Sequence, residues 1–400
     1  MALRVGFDAV RALRNSTGLG NYARRVLRGV LGAEAGVEGV LYSPAPPRRE
    51  FAGLARSLGA EAHFAAGVWA VPGARSYWRS FRLGHTAAEH GIQLYHGLTH
   101  EIPRDLPRTG IPSVVSFLDL LWVRFPRLYR GPDRKSYEWR YRWSAEHAGA
   151  VVAVSRQTHN DLVELYGVDP ARVTVIPPPA DPRFSVAVPE RDRREVLSRY
   201  GLPDRFLLSL GTLEPRKNQR TAISALARLD PRNTPPLVLI GRDGGSAAGL
   251  ARLAEQLGVA ERVIFCSNMR DDDLPAVMQS AALFLYPSLF EGFGLPIVEA
   301  LGAGVPVIAS EGGCFPEAGG PGTLYAPATD AVEWARLVER VLHDPVLAER
   351  MTAAGRVHAQ GFDGGQLAQR MLALYDAVRT GSPLPAEGEA IREERDGCAG

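Results

Sequence analysis

Short apolar runs alternate along the chain with segments of helical periodicity. In the first half these runs lie at 3–8, 40–43, 114–117, 151–154 and 173–176, and in the second half at 206–211, 237–240, 263–265, 283–286 and 305–308. The first run of each half is followed by a helical stretch, at 22–30 and at 219–229. Apolar runs bounded by Gly or Pro and separated by helices are typical of parallel sheets. The pattern predicts an α/β protein made of two doubly wound, Rossmann-like domains.

The boundary between the two domains is marked by three prolines at 177–179. Proline lacks the N–H group that a sheet requires and stiffens the chain, so the first sheet is expected to end there. The sequence therefore predicts an N-terminal domain over 1–185 and a C-terminal domain over 186–362, with a later helix at 365–378. Residues 382–400 are polar and lack apolar periodicity, which predicts a disordered tail.

The segment Phe-Glu-Gly-Phe-Gly-Leu-Pro-Ile-Val-Glu-Ala at 290–300 follows a predicted strand. Proline at 296 suits the start of a helix, and the two glycines allow the backbone to approach a ligand closely. Amides at such a helix start favour an anion, above all phosphate. Glu299 is expected in the first helical turn, where its carboxylate could accept hydrogen bonds from a ribose diol. An acid there also stabilises the helix dipole without a ligand, so both interpretations stay open.

A second segment, Gly-Thr-Leu-Glu-Pro-Arg-Lys-Asn at 211–218, places two cations after a strand. Open α/β sheets bind ligands at the carboxyl ends of their strands. The planar fork of Arg216 and the mobile charge of Lys217 would both suit a diphosphate. Most Arg-Lys pairs are solvated loop residues, but this chain has only two lysines among its 46 basic residues.

Together these segments resemble the retaining glycosyltransferases of family GT4, which have the GT-B fold. The resemblance rests on Glu291 and Glu299 in the E-x7-E spacing and on the 211–218 string, which is typical of the mannosyltransferase-like branch. It extends to about residue 380. It implies a nucleotide-sugar donor, linked to GDP or UDP, held by the C-terminal domain, and an acceptor held by the N-terminal domain across a cleft. It also implies no metal or other cofactor, and a helix at about 363–380 that crosses back to the N-terminal domain.

The resemblance also implies roles for individual residues. Arg216 and Lys217 would grip the donor diphosphate and stabilise the leaving phosphate, and Glu291 would contact hydroxyls of the donor sugar. Asp119 completes the expected catalytic set. The expected donor-binding residues are Gly18, Gly20, Gly211, Phe293, Gly294, Leu295, Ile297, Val298 and Glu299.

One position departs from the family. The family has a His-Asp pair after the strand at 114–117, whereas this chain has Leu118 and Asp119. Leucine can neither donate a hydrogen bond nor carry a proton, which puts full activity, the usual donor sugar or the local correspondence in question. Asp119 could equally cap a helix. His96 and His100, expected in a loop, could supply a polar group instead, or could simply be solvated.

The net charge of +2, from 46 basic and 44 acidic residues, conceals an asymmetry. Residues 1–150 hold 21 basic and 12 acidic side chains, net +9, and arginines alternate with aromatic residues at 75–82 and 122–143. This suits peripheral contact with an anionic membrane, a polyanionic or lipid-linked acceptor, or a solvated face. The acids at 271–273 contain a D-x-D string but precede a predicted helix, where acids ordinarily cap. The N-terminal run lacks the apolar core of a signal peptide.

The sequence therefore predicts a cytoplasmic, metal-independent retaining hexosyltransferase that uses a nucleotide-diphospho-sugar and a glycan, lipid-linked or small-molecule acceptor. Two alternatives remain. One is a GT-B protein with little or no activity that binds nucleotide or partners another transferase, because of Leu118. The other is an NAD-dependent oxidoreductase, because Gly18-x-Gly20-x-x-Ala23 formally matches a dinucleotide fingerprint. That fingerprint requires its glycines directly after a strand, and here about ten residues intervene.

Overall fold

A computed structural model describes residues 2–32, 36–65 and 73–385 of the chain. Its β-strands are β1 Leu3–Asp8, β2 Val37–Ser43, β3 Glu61–Phe64, β4 Leu94–Gly97, β5 Ser113–Phe117, β6 Ala150–Ala153, β7 Val173–Val175, β8 Phe206–Leu210, β9 Leu237–Ile240, β10 Val263–Cys266, β11 Ala281–Tyr286, β12 Val307–Ser310 and β13 Thr323–Ala326.

The α-helices of the described residues connect these strands. They are α1 Val10–Arg14, α2 Gly18–Val30, α3 Leu54–Ser57, α4 Ala74–Phe81, α5 Leu83–Glu89, α6 Leu121–Arg124, α7 Gly131–His147, α8 Arg156–Tyr166, α9 Glu190–Arg199, α10 Gln219–Leu226, α11 Ala247–Gln256, α12 Leu274–Ser280, α13 Leu295–Gly302, α14 Phe315–Gly319, α15 Ala331–His343, α16 Pro345–Ala359 and α17 Gly364–Thr380.

The strands form two parallel sheets. The first has the order β3-β2-β1-β4-β5-β6-β7 and the second the order β10-β9-β8-β11-β12-β13. In both sheets the first three strands add in one direction and the fourth returns to pair with the first, which is the doubly wound order of Rossmann-like domains. The predicted fold class, α/β with two Rossmann-like domains, is therefore confirmed.

The chain divides into two compact units. The first contains the described residues up to Pro179 together with those from Gly364 onward, and the second contains Ala180–Asp363. Helix α17 therefore belongs to the N-terminal unit, where it packs on α2. The unit boundary lies six residues before the position suggested by the proline run and the helix that follows it. Residues 382–385 form neither helix nor strand, and 386–400, the rest of the predicted tail, lie outside the described residues.

Each sheet is covered by apolar helix faces. In the second unit, Trp334 and Val338 of α15 and Ile223 of α10 are fully buried against Leu239 and Leu285 of the sheet. Complete burial of one such side chain contributes about 1.5–3 kcal/mol, so this layer accounts for much of the stability of the unit. No described helix is long and apolar enough to cross a membrane.

The sequence pattern missed three strands, namely β3, β4 and β13. Strand β4, with the sequence Leu-Tyr-His-Gly, contains a histidine and a glycine, so the apolar pattern did not single it out. The predicted loop position of His96 is therefore wrong, because His96 lies on this central strand. Predicted strand 305–308 is shifted by two residues, since β12 starts only after Pro306.

Candidate active site

The candidate site begins at the point where the second sheet changes its winding direction. Strands β8 and β11 are neighbours there, and their connections leave toward opposite edges of the sheet. The loops that follow the carboxyl ends of these two strands carry both motifs singled out from the sequence. In doubly wound sheets this crevice is the usual ligand site.

The loop after β8 is shaped by two residues with unusual backbone conformations. Gly211 has φ of 146°, and a side-chain Cβ placed on it would lie 3.3 Å from Cε of Lys217. Glycine at 211 therefore leaves room for the lysine chain. Asn218 has φ of 53°, and its Nδ2 donates hydrogen bonds to the carbonyl oxygens of Pro287 (2.9 Å) and Ala328 (2.7 Å). These bonds hold the cation-bearing turn against the loops that follow β11 and β13.

Arg216, Lys217 and Glu291 form a tight ionic cluster, here called the donor triad. Nη1 of Arg216 lies 2.6 Å from Oε2 of Glu291, and Nζ of Lys217 lies 2.7 Å from Oε1. The same arginine also bonds to Glu214 at 2.6 Å and to the carbonyl oxygen of Phe290 at 2.9 Å. All three side chains of the triad are at most 16% exposed. The structure thus brings the predicted cations and the first glutamate of the E-x7-E motif together.

Burial and charge act in opposite directions on Glu291. Desolvation alone would raise the pKa of this carboxyl group, but the positive charges of Lys217 and Arg216 and the hydrogen bond from Lys217 outweigh it and lower the pKa to about 2. Burial also disfavours the charged form of Arg216, yet Glu291 and Glu214 raise the pKa of this guanidinium above its ordinary value. Glu291 and Arg216 are therefore both charged at neutral pH.

Two residues that the sequence analysis did not single out complete the surroundings of the triad. Nζ of Lys217 donates to the hydroxyl of Tyr286 at 3.2 Å and lies 5.3 Å from the centre of its ring. Burial, reinforced by Glu291, raises the pKa of Tyr286 well above its usual range, so this hydroxyl stays protonated. Cys314 donates its S–H to the carbonyl oxygen of Glu291 at 3.3 Å. The feature of the sequence that could have identified Tyr286 as part of the site is its position at the end of an apolar strand.

The start of α13 lies one residue earlier than the sequence predicts. The helix begins at Leu295, so proline is its second residue and contributes no N–H group. The N–H of Ile297 donates to the carbonyl oxygen of Gly294 at 2.9 Å. Gly294 itself has φ of 115°, a conformation that favours glycine.

Several expected donor contacts are buried. Ile297 and Val298 are completely inaccessible and Phe293 nearly so, whereas Leu295 is half-buried. Ile297 and Val298 belong to the core of the unit and present no accessible surface to a ligand. Glu299 is 7% exposed and is the fifth residue of α13, so its predicted place in the first turn is wrong.

In the N-terminal unit, Gly18 and Gly20 lie within the first turn of α2 instead of in a loop. A Cβ on Gly20 would come within 1.8 Å of the carbonyl oxygen of Asn15, whereas one on Gly18 would meet nothing within 4 Å. Packing therefore requires glycine at position 20. Helix α1 separates both glycines from β1, which contradicts the arrangement of a dinucleotide fingerprint.

Asp119 follows β5, and its Oδ1 accepts a hydrogen bond from the N–H of Leu121 at 3.1 Å, at the start of α6. The cap residue of α6 is Leu120, so Asp119 lies one residue before the cap, and its bond to Leu121 closes a turn at the start of the helix. The neighbouring Leu118 N–H donates to Nε2 of His100 at 3.1 Å. His100 is buried, and desolvation lowers its pKa to about 3, so its ring is neutral and supports the backbone of this loop.

His96 belongs to a buried hydrogen-bond chain. Its Nδ1 lies 2.6 Å from the hydroxyl of Tyr375 on α17, and its Nε2 lies 2.8 Å from Ser116. Tyr22 of α2 donates to the same serine at 3.0 Å. Burial lowers the pKa of His96 to about 3. The chain ties α17 to the first sheet, and the expectation of a solvated loop histidine is wrong.

The first sheet also carries a polar cluster at its own switch point that the sequence analysis did not predict. Asp8 ends β1, and its Oδ2 accepts a bond from Nε of Arg79 at 2.8 Å. The same arginine lies 2.8 Å from Glu101, which Arg140 also contacts at 3.2 Å. Asp8 and Glu101 are almost completely buried. An acid directly after an apolar strand was the only sign of this cluster in the sequence.

The three acids at 271–273 are engaged by arginines. Asp271 and Asp272 lie 2.7 and 2.9 Å from the guanidinium of Arg183, and Asp273 lies 2.9 Å from that of Arg199. These pairings, and the position of the acids directly before α12, account for the D-x-D string.

Each of the two units matches the sequence model of a known protein family. The sequence model described as Glycosyltransferase Family 4 matches residues 16–184, and the model described as Glycosyl transferases group 1 matches 192–358. A D-inositol 3-phosphate glycosyltransferase of Salinispora arenicola is 30% identical over 92% of this chain and 81% of its own length. The O-antigen chain mannosyltransferase B of Escherichia coli is 31% identical over 67% of this chain and 70% of its own.

A solved structure shares the fold. Anabaena Alr3699/HepE in complex with UDP-glucose superposes with a TM-score of 0.71 over 93% of this chain and 98% of its own, at 19% identity. The sequence relatives and the two matching sequence models together span most of the chain. The chain therefore belongs to the GT-B glycosyltransferases of family 4.

Proposed function

We propose that this glycosyltransferase moves a hexose from a nucleoside-diphosphate sugar, linked to GDP or UDP, to an acceptor hydroxyl with retention of the anomeric configuration. The donor triad carries the proposal. Negative charge grows on the diphosphate as the glycosidic bond breaks, so positioned cations stabilise the transition state more than the ground state. Arg216 and Lys217 are held at the switch point of the second sheet, where such a leaving group would lie.

Glu291 has two roles in this proposal. Without donor, its carboxylate neutralises Arg216 and Lys217 and keeps them in place. A bound diphosphate would compete for these cations, since phosphate oxygens form strong charge-assisted bonds with Arg and Lys. The carboxylate oxygens of Glu291 would then accept hydrogen bonds from hydroxyl groups of the donor sugar. Glu299 would hold the ribose.

Family relationships support the donor class. The relatives above are named as mannosyltransferase and inositol phosphate glycosyltransferase, and the Anabaena protein was solved with UDP-glucose. GDP-mannose and UDP-hexoses are therefore the donors to test. A glycan, a lipid-linked sugar or a small polyol would serve as acceptor.

In the proposed reaction the acceptor hydroxyl attacks the anomeric carbon from the face that the diphosphate leaves. A phosphate oxygen of the leaving group takes the acceptor proton, so no protein base is required. This is compatible with Leu118, which cannot transfer a proton. The two positive charges of Arg216 and Lys217 supply the charge stabilisation that a divalent metal would otherwise provide.

A binding and turnover panel tests the proposal. Thermal shift with GDP-mannose, UDP-glucose, UDP-galactose and NAD identifies the bound nucleotide, because a ligand that binds the folded state raises the melting temperature. Release of GDP or UDP from the stabilising donor then reports turnover, with candidate acceptors added in turn. Stabilisation by NAD alone, or by none of the nucleotide sugars, would contradict the proposal.

A nucleotide-binding protein without transfer activity is the second candidate, and Leu118 is the observation that favours it. It predicts stabilisation by nucleotide sugars with no release of GDP or UDP in the presence of any acceptor. Slow hydrolysis of the donor without acceptor already distinguishes the two candidates.

A further inference from the structure

A groove of about 590 Å³ runs along α7 in the N-terminal unit. We call it the α7 groove and define it by Arg104, Arg134, Lys135, Glu138, Trp139, Trp143 and Glu146. All of these except Arg104 lie on one face of α7, because they recur at intervals of three or four residues. The groove has the volume of a typical small-molecule site, and neither family motif contributes to it.

The aromatic wall of the groove is held in place by a cation. The guanidinium carbon of Arg104 lies 3.4 Å from the ring centre of Trp139 and 4.8 Å from that of Trp143. The same guanidinium donates to the carbonyl oxygen of Trp139 at 3.2 Å. Trp139 nevertheless remains 56% exposed. An exposed indole held in this way offers a flat, preformed surface to a ligand.

The cations of the groove are incompletely paired. Among the described residues, no carboxylate lies within ion-pair distance of Arg104, Arg134 or Lys135. Glu138 and Glu146 instead face Arg142, at 3.7 and 3.3 Å. Burial lowers the pKa of Arg104, and the negative charge of Glu101 offsets this effect only in part. The groove therefore has a surplus of positive charge, together with two carboxylates.

The geometry points to a binding site for an acidic saccharide in the α7 groove. The apolar face of a sugar ring packs on indole, as in other carbohydrate sites built from aromatic walls and a few polar groups. A carboxylate or phosphate substituent would bond to Arg104, Arg134 and Lys135. The carboxylates of Glu138 and Glu146 accept hydroxyl hydrogen bonds but repel a polyanion.

Glu138 and Glu146 favour a saccharide over the other ligands that a basic groove could bind. An anionic bilayer and a nucleic acid both present dense negative charge, and a surface for either would exclude carboxylates from its centre. A sugar ring carries one negative group and several hydroxyls, which matches the mixture of cations, carboxylates and indoles. The proposal for the α7 groove does not rest on the proposed function of the donor triad, because its experiment measures saccharide binding and not sugar transfer.

The experiment is calorimetric titration of the full chain with galacturonate and with its methyl ester, at physiological ionic strength. The ester keeps the ring and removes the charge. The variants are Arg134→Glu and Trp139→Ala, with Arg56→Glu as a control of equal charge change at an exposed position on α3. Circular dichroism verifies the fold of each variant. Sedimentation with vesicles of phosphatidylcholine and phosphatidylglycerol forms a separate arm.

The acid should bind at least about tenfold more tightly than the ester, since charge-assisted bonds are about twice as strong as neutral ones. Arg134→Glu and Trp139→Ala should each weaken binding about tenfold or more, and Arg56→Glu should leave it unchanged. Equal affinity for acid and ester, absence of saccharide binding, or equal losses in Arg56→Glu and Arg134→Glu would overturn the proposal. Vesicle binding that requires Arg134 without saccharide binding would assign the groove to a membrane instead.

Discussion

Replacing Glu291 by glutamine separates the two roles proposed for this side chain. Glutamine has nearly the same shape but no charge, so Arg216 and Lys217 lose their shared anionic partner. We expect the Glu291→Gln variant to be less stable, to bind GDP or UDP more tightly, and to turn over more slowly. A purely structural ion pair would not produce tighter nucleotide binding.

The magnitudes follow from the electrostatics of Glu291. Its pKa of about 2, against an ordinary 4.5, corresponds to about 3 kcal/mol of favourable interaction in the folded state. Loss of this interaction should lower the free energy of unfolding by a similar amount. In the variant the diphosphate no longer competes with a carboxylate for the two cations. If about half of the interaction free energy then favours diphosphate binding, nucleotide affinity rises about tenfold. Turnover should fall at least about tenfold, because a neutral amide is a weaker acceptor for sugar hydroxyls.

Three measurements check this prediction: urea unfolding, calorimetric titration with GDP and UDP, and release of nucleotide from the donor. Glu255→Gln is the matched control, since this exposed acid on α11 lies far along the chain from either motif. The control should behave as the wild type in all three. Weaker nucleotide binding in Glu291→Gln than in the wild type would refute the competition between carboxylate and diphosphate.

Two further predictions concern stability. His96 and His100 have pKa values of about 3 in the folded state against 6.5 unfolded, so they favour folding above pH 6.5 and lose this contribution as the pH falls. The free energy of unfolding should therefore drop by about 4 kcal/mol between pH 7 and pH 5, as measured by urea titration; a flat profile would disagree. Gly20→Ala should destabilise the chain by more than about 2 kcal/mol, because its Cβ would collide with the backbone of Asn15, whereas Gly18→Ala has open space and should not. Equal melting temperatures of the two variants would show that the packing argument is wrong.

The fold was largely predictable because parallel strands are buried on both faces and appear as continuous apolar runs. The strands that the sequence did not predict are those that depart from such apolar runs. Strand β4 carries a histidine whose polarity is satisfied inside the protein by Tyr375 and Ser116, which are distant in sequence. A pattern of polar and apolar residues cannot anticipate such long-range hydrogen bonding. The pattern also could not show that α13 begins at Leu295, one residue before its proline.

The candidate site was predictable to the level of motifs but not of contacts. The sequence placed Arg216, Lys217 and Glu291 in loops that follow two strands. The pairing of these strands and the direct ion pairs between the side chains depend on the three-dimensional fold. Asn218 could be recognised only from the structure, because its two tethering bonds reach residues 69 and 110 positions away. The resemblance to a family supplied the donor class, which charge and spacing alone left open.

The most direct test of the proposed site compares the turnover of a nucleotide sugar by the Lys217→Ala and Arg220→Ala variants. Both variants remove one cation from the same segment, but Arg220 is exposed on α10 while Lys217 lies in the donor triad. We expect kcat to fall at least about a hundredfold in Lys217→Ala with its circular dichroism spectrum unchanged, and to stay at the wild-type value in Arg220→Ala. Wild-type turnover in a folded Lys217→Ala variant would contradict the assignment of the site.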